Sequence, residues 1–297
     1  MTVAYLCYFH DKNLLQVQCL ISSIRRFDSE SRIIAIAEDD CIKDCMFASS
    51  PECNVSILRM SEAREECRAL GLDWGRVDRS PRDKAWTFQA CFPFWMMREL
   101  SDSDVLVYVD SDCFFFQDIR PYIRRLPPAS HVGLCPHHYP PGRENKSAGI
   151  YNNGIMSWRN TDVSRKIARE WGLEAIAKWE PHEQILLDAW PERYGDAIAE
   201  FERGVDVGPW QMLEWSMGTG ESSIEGVPFH HGWEGGKHVR NQIDMQSHHF
   251  HEYRLDQTGK NPVTIKGRKC NRSGYPLHAE TVKSVYEPYE RLLETFL

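Results

Sequence analysis

The chain has no apolar run near the roughly 20 residues needed to cross a bilayer, no block of clustered lysine or arginine, and no C-x-x-C pair. Each absence removes a class of protein. The first argues against a membrane span. The second, with 35 basic against 43 acidic side chains and a net charge of -8, argues against broad neutralisation of nucleic-acid phosphates. The third removes the usual structural zinc frameworks and leaves Cys41, Cys45 and Cys53 as a loose cluster with a minor claim to zinc. Thr2 to Phe9 has no basic leader or cleavage site, so a cytoplasmic location is the expectation. Without a secretory route the sequons at Asn54, Asn145 and Asn271 carry no weight. Cys7, Cys91, Cys113 and Cys135 lie inside apolar runs, where a reduced thiol serves as a small core residue.

What is present is a 297-residue composition, 42% hydrophobic and 26% charged, able to bury a large core. Val3 to Phe9 reads as a strand, Asn13 to Phe27 places apolar residues at helical spacing, and Ile33 to Ala37 reads as a second strand ended by Glu38-Asp39-Asp40. Strand, helix and strand in under 40 residues form a βαβ unit, hence α/β architecture with a mainly parallel sheet flanked by helices. Asn54 to Met60 supplies another strand, with Ser61 expected to cap a helix through Leu70. Ser80-Pro81-Arg82-Asp83 signals a sharper helix start, and that helix runs to about Leu100.

Val105 to Val109, bounded by Asp104 and Asp110, is a continuous apolar run of the kind found in a central strand buried on both faces. Further strands are expected at His131 to Cys135 and Ile150 to Trp158, with helices over Asp162 to Lys178, His182 to Trp190 and Thr281 to Phe296. Residues Gly204 to Pro276 read as an irregular, polar region.

Asp110-Ser111-Asp112 follows the buried strand directly, and open α/β sheets bind ligands at the carboxyl ends of their strands. Two carboxylates one residue apart can both turn toward a divalent ion, although Asp also caps turns and helices. Four more signatures follow in order: Tyr151-Asn152-Asn153-Gly154-Ile155-Met156, Glu183-Gln184, Gly208-Pro209-Trp210, and His231 with Lys237 six residues later.

This ordered set resembles the GT-A fold glycosyltransferases, especially the family 8 type and neighbouring nucleotide-diphospho-sugar transferases. The resemblance covers roughly residues 1 to 240. It implies one GT-A domain over residues 1–297, with a nucleotide-sugar-binding half (1–136) and an acceptor-binding half (137–297). It also implies Asp110, Asp112 and His231 as metal ligands and Lys237 on the donor diphosphate. Asn152 and Gln184 would lie near the transferred sugar, with Glu183, in place of the usual Asp, hydrogen-bonded to it. Glu234 stands where the family has Gly, and His238-Val239 replaces Pro-Trp, so acceptor identity does not transfer.

The chemistry supports the same set. Breaking a glycosyl-phosphate bond leaves a nucleoside diphosphate whose growing charge a divalent cation and a lysine can neutralise. Oxygen ligands with one imidazole suit Mn²⁺ or Mg²⁺ better than tetrahedral zinc. For the donor, a UDP-sugar in the first instance, Tyr8 and Phe9 at the first strand's exit could pack on the base. Asp11 matches a family Asp, while Asp39, Lys84 and Ser111 complete the donor-binding candidates. Each has a plainer alternative: Tyr8 and Phe9 as core, Lys84 as a solvated helix residue. Trp86, Trp95, Trp158 and Trp171 read as core, whereas Trp210 and Trp233 are the better sugar-stacking candidates. His137 and His138 could line the acceptor entrance, and the dense group His248, His249 and His251 could bind metal adventitiously, with a surface turn as the plainer reading.

The expected activity is metal-dependent transfer of a sugar from a nucleoside diphosphate donor to a carbohydrate or other hydroxyl-bearing acceptor, with retention of configuration. Rivals are a sugar-1-phosphate nucleotidyltransferase and a non-catalytic sugar-nucleotide or glycan-binding protein. The first rival normally carries a Gly-rich loop after the first strand, and Cys7-Tyr8-Phe9-His10-Asp11 has no Gly.

Overall fold

The structure is a computed structural model. It describes the chain apart from residues 50–53, 75–78, 80, 101–103, 140–141, 143, 179–182, 213–215, 218–228, 235–236, 254–262, 266–267, 271–273, 276 and 297, and apart from the side chains of 48–49, 81–83, 104, 213–243 and 263–270. The strands in chain order are β1 (Thr2–Phe9), β2 (Arg32–Ala37), β3 (Val55–Arg59), β4 (Asp104–Val109), β5 (Cys113–Phe115), β6 (Val132–Pro136), β7 (Tyr151–Arg159) and β8 (Ile198–Glu200). They continue as β9 (Ser216–Met217), β10 (Phe229–Glu234), β11 (Lys237–Asp244), β12 (Ser247–His249), β13 (Val263–Ile265) and β14 (Arg268–Cys270). The helices are α1 (Leu14–Arg25), α2 (Met60–Ala69), α3 (Pro81–Glu99), α4 (Arg120–Arg125), α5 (Asp162–Ala177), α6 (Trp190–Tyr194), α7 (Ala279–Thr281) and α8 (Glu287–Glu294).

Seven strands form one sheet in the order β3-β2-β1-β4-β7-β6-β8. β3, β2, β1 and β4 run parallel. β7 is antiparallel to both β4 and β6, and β8 is parallel to β6. The expected mainly parallel sheet flanked by helices is therefore what the chain forms.

The alternation of side chains along each strand sends residues to two cores. On one face Leu6, Tyr8, Leu106 and Tyr108 pack with α3, α5 and the Trp158-Trp171-Trp190 cluster. On the other, Tyr5, Cys7, Phe9, Val107 and Val109 pack against α1. Cys7, Cys91, Cys113 and Cys135 are all buried, in keeping with their apolar neighbours.

Two details differ from the sequence expectations. The helix expected to be capped by Ser61 starts two residues earlier than that cap implies, at Met60, with Arg59 at the cap position. Asp39 Oδ1 accepts from the Ser61 N–H at 3.2 Å. The region from 204 to 276, read as irregular, contributes β9, β10 and β11 as an antiparallel group. It also sends β12 back to pair antiparallel with β5. Among the described residues, no helix is long and apolar enough to cross a membrane.

Strand order decides where a ligand can sit. β1 is flanked by β2 on one side and β4 on the other, so the connection reverses direction between them. At such a reversal the loops leaving the carboxyl ends diverge and open a crevice. Phe9 ends β1 and Val109 ends β4, so the crevice opens beside His10-Asp11 and Asp110-Ser111-Asp112.

Candidate active site

A cleft of about 1290 Å³ occupies this crevice, more than the usual single-ligand pocket and enough for two substrates. Because β7 is antiparallel to β4, its first residues lie beside the end of β4: Val109 pairs with Ile155, and the Asp110 N–H donates to Gly154 O at 2.8 Å. Asn152 and Asn153 are thereby delivered next to the two aspartates. Because β12 pairs with β5, His249 lies opposite Cys113, one residue beyond Asp112. The Phe250 N–H donates to Asp112 O at 2.8 Å and locks that arrangement.

The result is a compact polar centre. Asp110 Oδ1 accepts from Tyr108 Oη–H at 2.8 Å and from Gln89 Nε2–H at 3.0 Å. Its Oδ2 faces His249 Nε2 at 3.8 Å, and Asp112 Oδ1 is 3.2 Å from the same nitrogen. On the far side of the ring, His249 Nδ1 is 3.3 Å from Asp206 Oδ1. Asn13 Nδ2–H donates to Ser111 Oγ and ties the start of α1 to the turn between the aspartates.

Electrostatics follow from this crowding. Burial, reinforced by Asp112 and opposed by His249, pushes the Asp110 carboxyl up to about 7. Burial acts the same way on Asp112, yet the His249 charge and hydrogen bond outweigh it and hold that carboxyl below its ordinary value. His249 itself is raised well above the usual imidazole range, since Asp112 and Asp206 overcome the cost of burying its charge.

Two carboxylates from the β4–β5 turn and an imidazole from β12 form a donor set that fits a hard, oxygen-preferring divalent cation. Without one, the acidic cluster carries more negative charge than its single imidazole can balance. Cys113 Sγ lies within reach of the same point. Burial pushes its thiol well above the ordinary range, so it stays protonated and is a poor ligand. The Cys41-Cys45-Cys53 zinc candidate gains no support: Asp112, Cys113 and His249 are the group of metal-type ligands among the described residues. Cys53 lies outside them.

A second polar network adjoins the first. Asn153 Nδ2–H donates to Glu183 Oε1 at 2.7 Å, and the Asn153 N–H donates to Gln184 Oε1 at 3.2 Å. Gln184 Nε2–H donates to Ala148 O at 2.5 Å. Asn152 Oδ1 accepts from the Gly154 N–H at 2.6 Å. Burial pushes the Glu183 carboxyl up to about 8, so it is largely neutral at pH 7.

A raised folded-state value means that the native state holds this proton more tightly than the unfolded chain. The contribution to stability is full below the unfolded value and is lost as pH rises through about 8. Glu183→Gln mimics the neutral form. It should leave the thermal midpoint near pH 5 unchanged and raise it by several degrees at pH 9, measured by calorimetry in chelator. A loss of stability at pH 9 would contradict this.

Gly154 is fixed by close approach. A Cβ there would lie 2.4 Å from His249 Nδ1 and 2.7 Å from its Cε1, with Asn152 Oδ1 at 3.0 Å. Gly154→Ala must displace the imidazole, so it should cost about 1–3 kcal/mol in thermal unfolding. It should also weaken Mn²⁺ binding in a titration, whereas an unshifted Mn²⁺ affinity would mean that the ring position is immaterial.

Of the residues singled out in the sequence, Tyr8, Asp11, Asp110, Ser111, Asp112, Asn152, Glu183 and Gln184 line the cleft. Four placements correct the sequence reading. Phe9 is fully buried in the opposite core, because adjacent residues of a strand face opposite ways and Tyr8 takes the cleft side. Asp39 is exposed beside α2; Glu38 lines the cleft instead, accepting from Tyr8 Oη–H at 2.9 Å. Lys84 is outside the lining, where α3 presents Ala85, Trp86 and Gln89, so Trp86 is not a core residue. His248 and His249 are buried, not a surface turn. The side chains of His231, Lys237 and Trp233 lie outside the described residues.

The lining lysine among the described residues is Lys12, just past β1. Away from β1, the cleft is walled by rings: His137 stacks on Tyr139 at 4.7 Å, and Trp210 donates Nε1–H to His137 O at 3.0 Å. Asn153, Gln89, Tyr108, Glu38 and Asp206 were not singled out as ligands or binding residues, and His249 only as one of a histidine group. No spacing signal marks them, since each depends on strand pairing or, for Gln89, on how α3 packs against the sheet.

No protein-family model matches this chain, and no curated protein matches it. Solved structures do. One is the galactosyltransferase LgtC in complex with donor and acceptor sugar analogs, at 10% identity and a TM-score of 0.57, covering 98% of this chain and 95% of that one. Another is mouse xyloside xylosyltransferase 1 in its apo form, at 9% identity and a TM-score of 0.51, covering 84% and 98%. The chain has the GT-A fold found in these glycosyltransferases.

Proposed function

We propose that the protein is a metal-dependent glycosyltransferase that moves a sugar from a nucleoside diphosphate donor, a UDP-sugar in the first instance, to a hydroxyl-bearing acceptor. The observation that carries this reading is the convergence of Asp110, Asp112 and His249 with Asn152, Glu183 and Gln184 in one cleft at the β1/β4 crevice. The GT-A sheet supports it.

Asp110, Asp112 and His249 would hold Mn²⁺ or Mg²⁺. The bound cation would supply fixed positive charge for the departing diphosphate. In this reading His249 takes the place assigned from sequence to His231, because β12 is held against β5 by pairing and places Nε2 3.2 Å from Asp112. Lys12, in the lining, is the basic side chain offered to the phosphates, and Lys237 keeps the diphosphate role that the family resemblance implies. Tyr8, Glu38 and Asp11 form the nucleoside end, where Glu38, anchored by Tyr8, can accept from a ribose hydroxyl or a base N–H.

Glu183, neutral at pH 7, can donate a hydrogen bond from its carboxyl to a sugar hydroxyl, with Asn153 fixing its orientation. Asn152 and Gln184 border the same space. Gln184 is an amide, and Glu183 is neutral and held by Asn153, so neither is a ready nucleophile for double displacement. Front-face attack with retention follows. An inverted product anomer by NMR would defeat it.

The deciding experiment is release of nucleoside diphosphate from a panel of sugar nucleotides with Mn²⁺, with and without simple glycosides as acceptors. Turnover of one donor is expected. Failure to bind or turn over any donor would overturn the assignment.

A further inference from the structure

Asp206 is the deepest carboxylate of the cleft region, 1% exposed, and sits between β8 and β9 at φ 56°, a left-handed conformation that Asp tolerates better than most residues. Its backbone is pinned: the Asp206 N–H donates to Ser247 Oγ at 2.9 Å, and Val207 bridges to His248. Its Oδ1 is 3.3 Å from His249 Nδ1, an ion-pair distance, and neither its Oδ2 nor His249 Nδ1 has an aligned hydrogen-bond partner among the described residues. The cationic group that the described structure sets against it is His249. Burying a carboxylate is costly unless a charge or donor answers it, so its placement calls for a partner of this kind.

The imidazole stands between Asp206 and the other two aspartates. Nδ1 faces Asp206, while Nε2 faces Asp112 and Asp110. Asp206 therefore cannot ligate an ion held at Nε2. What it can do is accept a hydrogen bond from Nδ1–H after a small rotation from the 3.3 Å contact, which keeps the proton on Nδ1 and leaves the Nε2 lone pair for a cation. Gly154 closes the other degree of freedom by letting the ring seat directly over its Cα.

We propose that Asp206 is the positioning residue of the metal centre: it holds His249 in the tautomer and orientation that present Nε2 to the divalent cation. The inference rests on the proposed metal site and extends it to a residue that does not touch the ion. Carboxylate partners of metal-ligating histidines typically change metal affinity by about 10–100-fold when removed.

The test uses Mn²⁺ alone, with no substrate, on the full chain. Mn²⁺ affinity would be titrated by electron paramagnetic resonance for wild type, Asp206→Asn, Asp206→Ala and His249→Gln. Imidazole nitrogen coupling to Mn²⁺ would be read by pulsed methods on the same samples. The expected result is nitrogen coupling in wild type, an affinity loss of roughly 10–100-fold in Asp206→Ala with weakened coupling, and a smaller loss in Asp206→Asn, whose amide oxygen can still accept from Nδ1–H. Asp206→Asn is nearly isosteric, so it remains informative if Asp206→Ala fails to fold. If both Asp206 variants bind Mn²⁺ as wild type does while His249→Gln loses coupling, the positioning role is overturned and the metal site stands. If wild type shows no nitrogen coupling, the ligation by His249 itself falls.

Discussion

Asp112→Asn is expected to lower nucleoside diphosphate release by about 10²–10³-fold at saturating Mn²⁺, the range seen when a fixed electrostatic contribution to a transition state is removed. The loss should fall on turnover and on Mn²⁺ affinity together. In the proposed centre Asp112 would supply a ligand oxygen, and it makes the nearer of the two carboxylate contacts to His249 Nε2, at 3.2 Å. The substitution should not unfold the protein. Asp112 repels Asp110, raising its carboxyl toward neutrality, so removing the charge relieves one strain while it loosens the contact to His249. The thermal midpoint in chelator should therefore stay within a few degrees of wild type. Undiminished activity in Asp112→Asn would contradict the proposed metal centre, and a collapse of the melting transition would make the carboxylate structural.

The second large effect separates two histidines. His249→Gln should remove imidazole ligation and weaken Mn²⁺ binding by at least the 10–100-fold typical of disturbing such a ligand's hydrogen-bond partner, with a matching fall in donor turnover. His231→Ala should leave Mn²⁺ affinity within about twofold of wild type, far below that range. Glutamine is preferred to alanine at 249 because Asp206 would otherwise lie buried with only the weak Cys113 Sγ–H donor at 3.8 Å, and breaking a buried ion pair costs about 3–5 kcal/mol. If His231→Ala abolishes Mn²⁺ binding while His249→Gln leaves it intact, the ligand drawn from the family pattern is the correct one and β12 has another task.

Much of the site could be read before folding was considered. Asp110 and Asp112 stand out because an uninterrupted apolar run, Val105 to Val109, ends in two carboxylates. Asn152, Glu183 and Gln184 stand in recognisable local strings, and all of these residues meet in the cleft. The βαβ pattern of the first 40 residues is legible for the same reason: helical and strand periodicities are local properties of the chain. The alternation rule could have sorted Tyr8 from Phe9 as well, had the inward face of β1 been known. That face is set by what packs on each side, which the strand itself does not carry.

The histidine was not legible. The family string directs attention to His231, and His248-His249-Phe250-His251 looks like a polar turn. What buries His249 beside Asp112 is a three-residue antiparallel pairing between β5 and β12, more than 130 residues apart. Such short pairings leave almost no periodic trace. Glu38 and Lys84 show the same limit from the other side. The acidic end of β2 and the basic residue on α3 were both visible, but one residue along a strand or one turn of a helix decides which side chain faces the crevice.

The sequence by itself determined the class of fold, the strand exit that carries the carboxylates and the local strings that line the cleft. These depend on periodicity and on short-range chemistry, which a linear chain displays. Tertiary structure alone decided that His249 and Asp206 complete the centre, that Asn153 ties Glu183 and Gln184 to Asp110 through Gln89, and that Phe9 belongs to the core. The physical reason is that donors and acceptors far apart in sequence become neighbours only through strand register, and register is settled by the packing of the whole sheet.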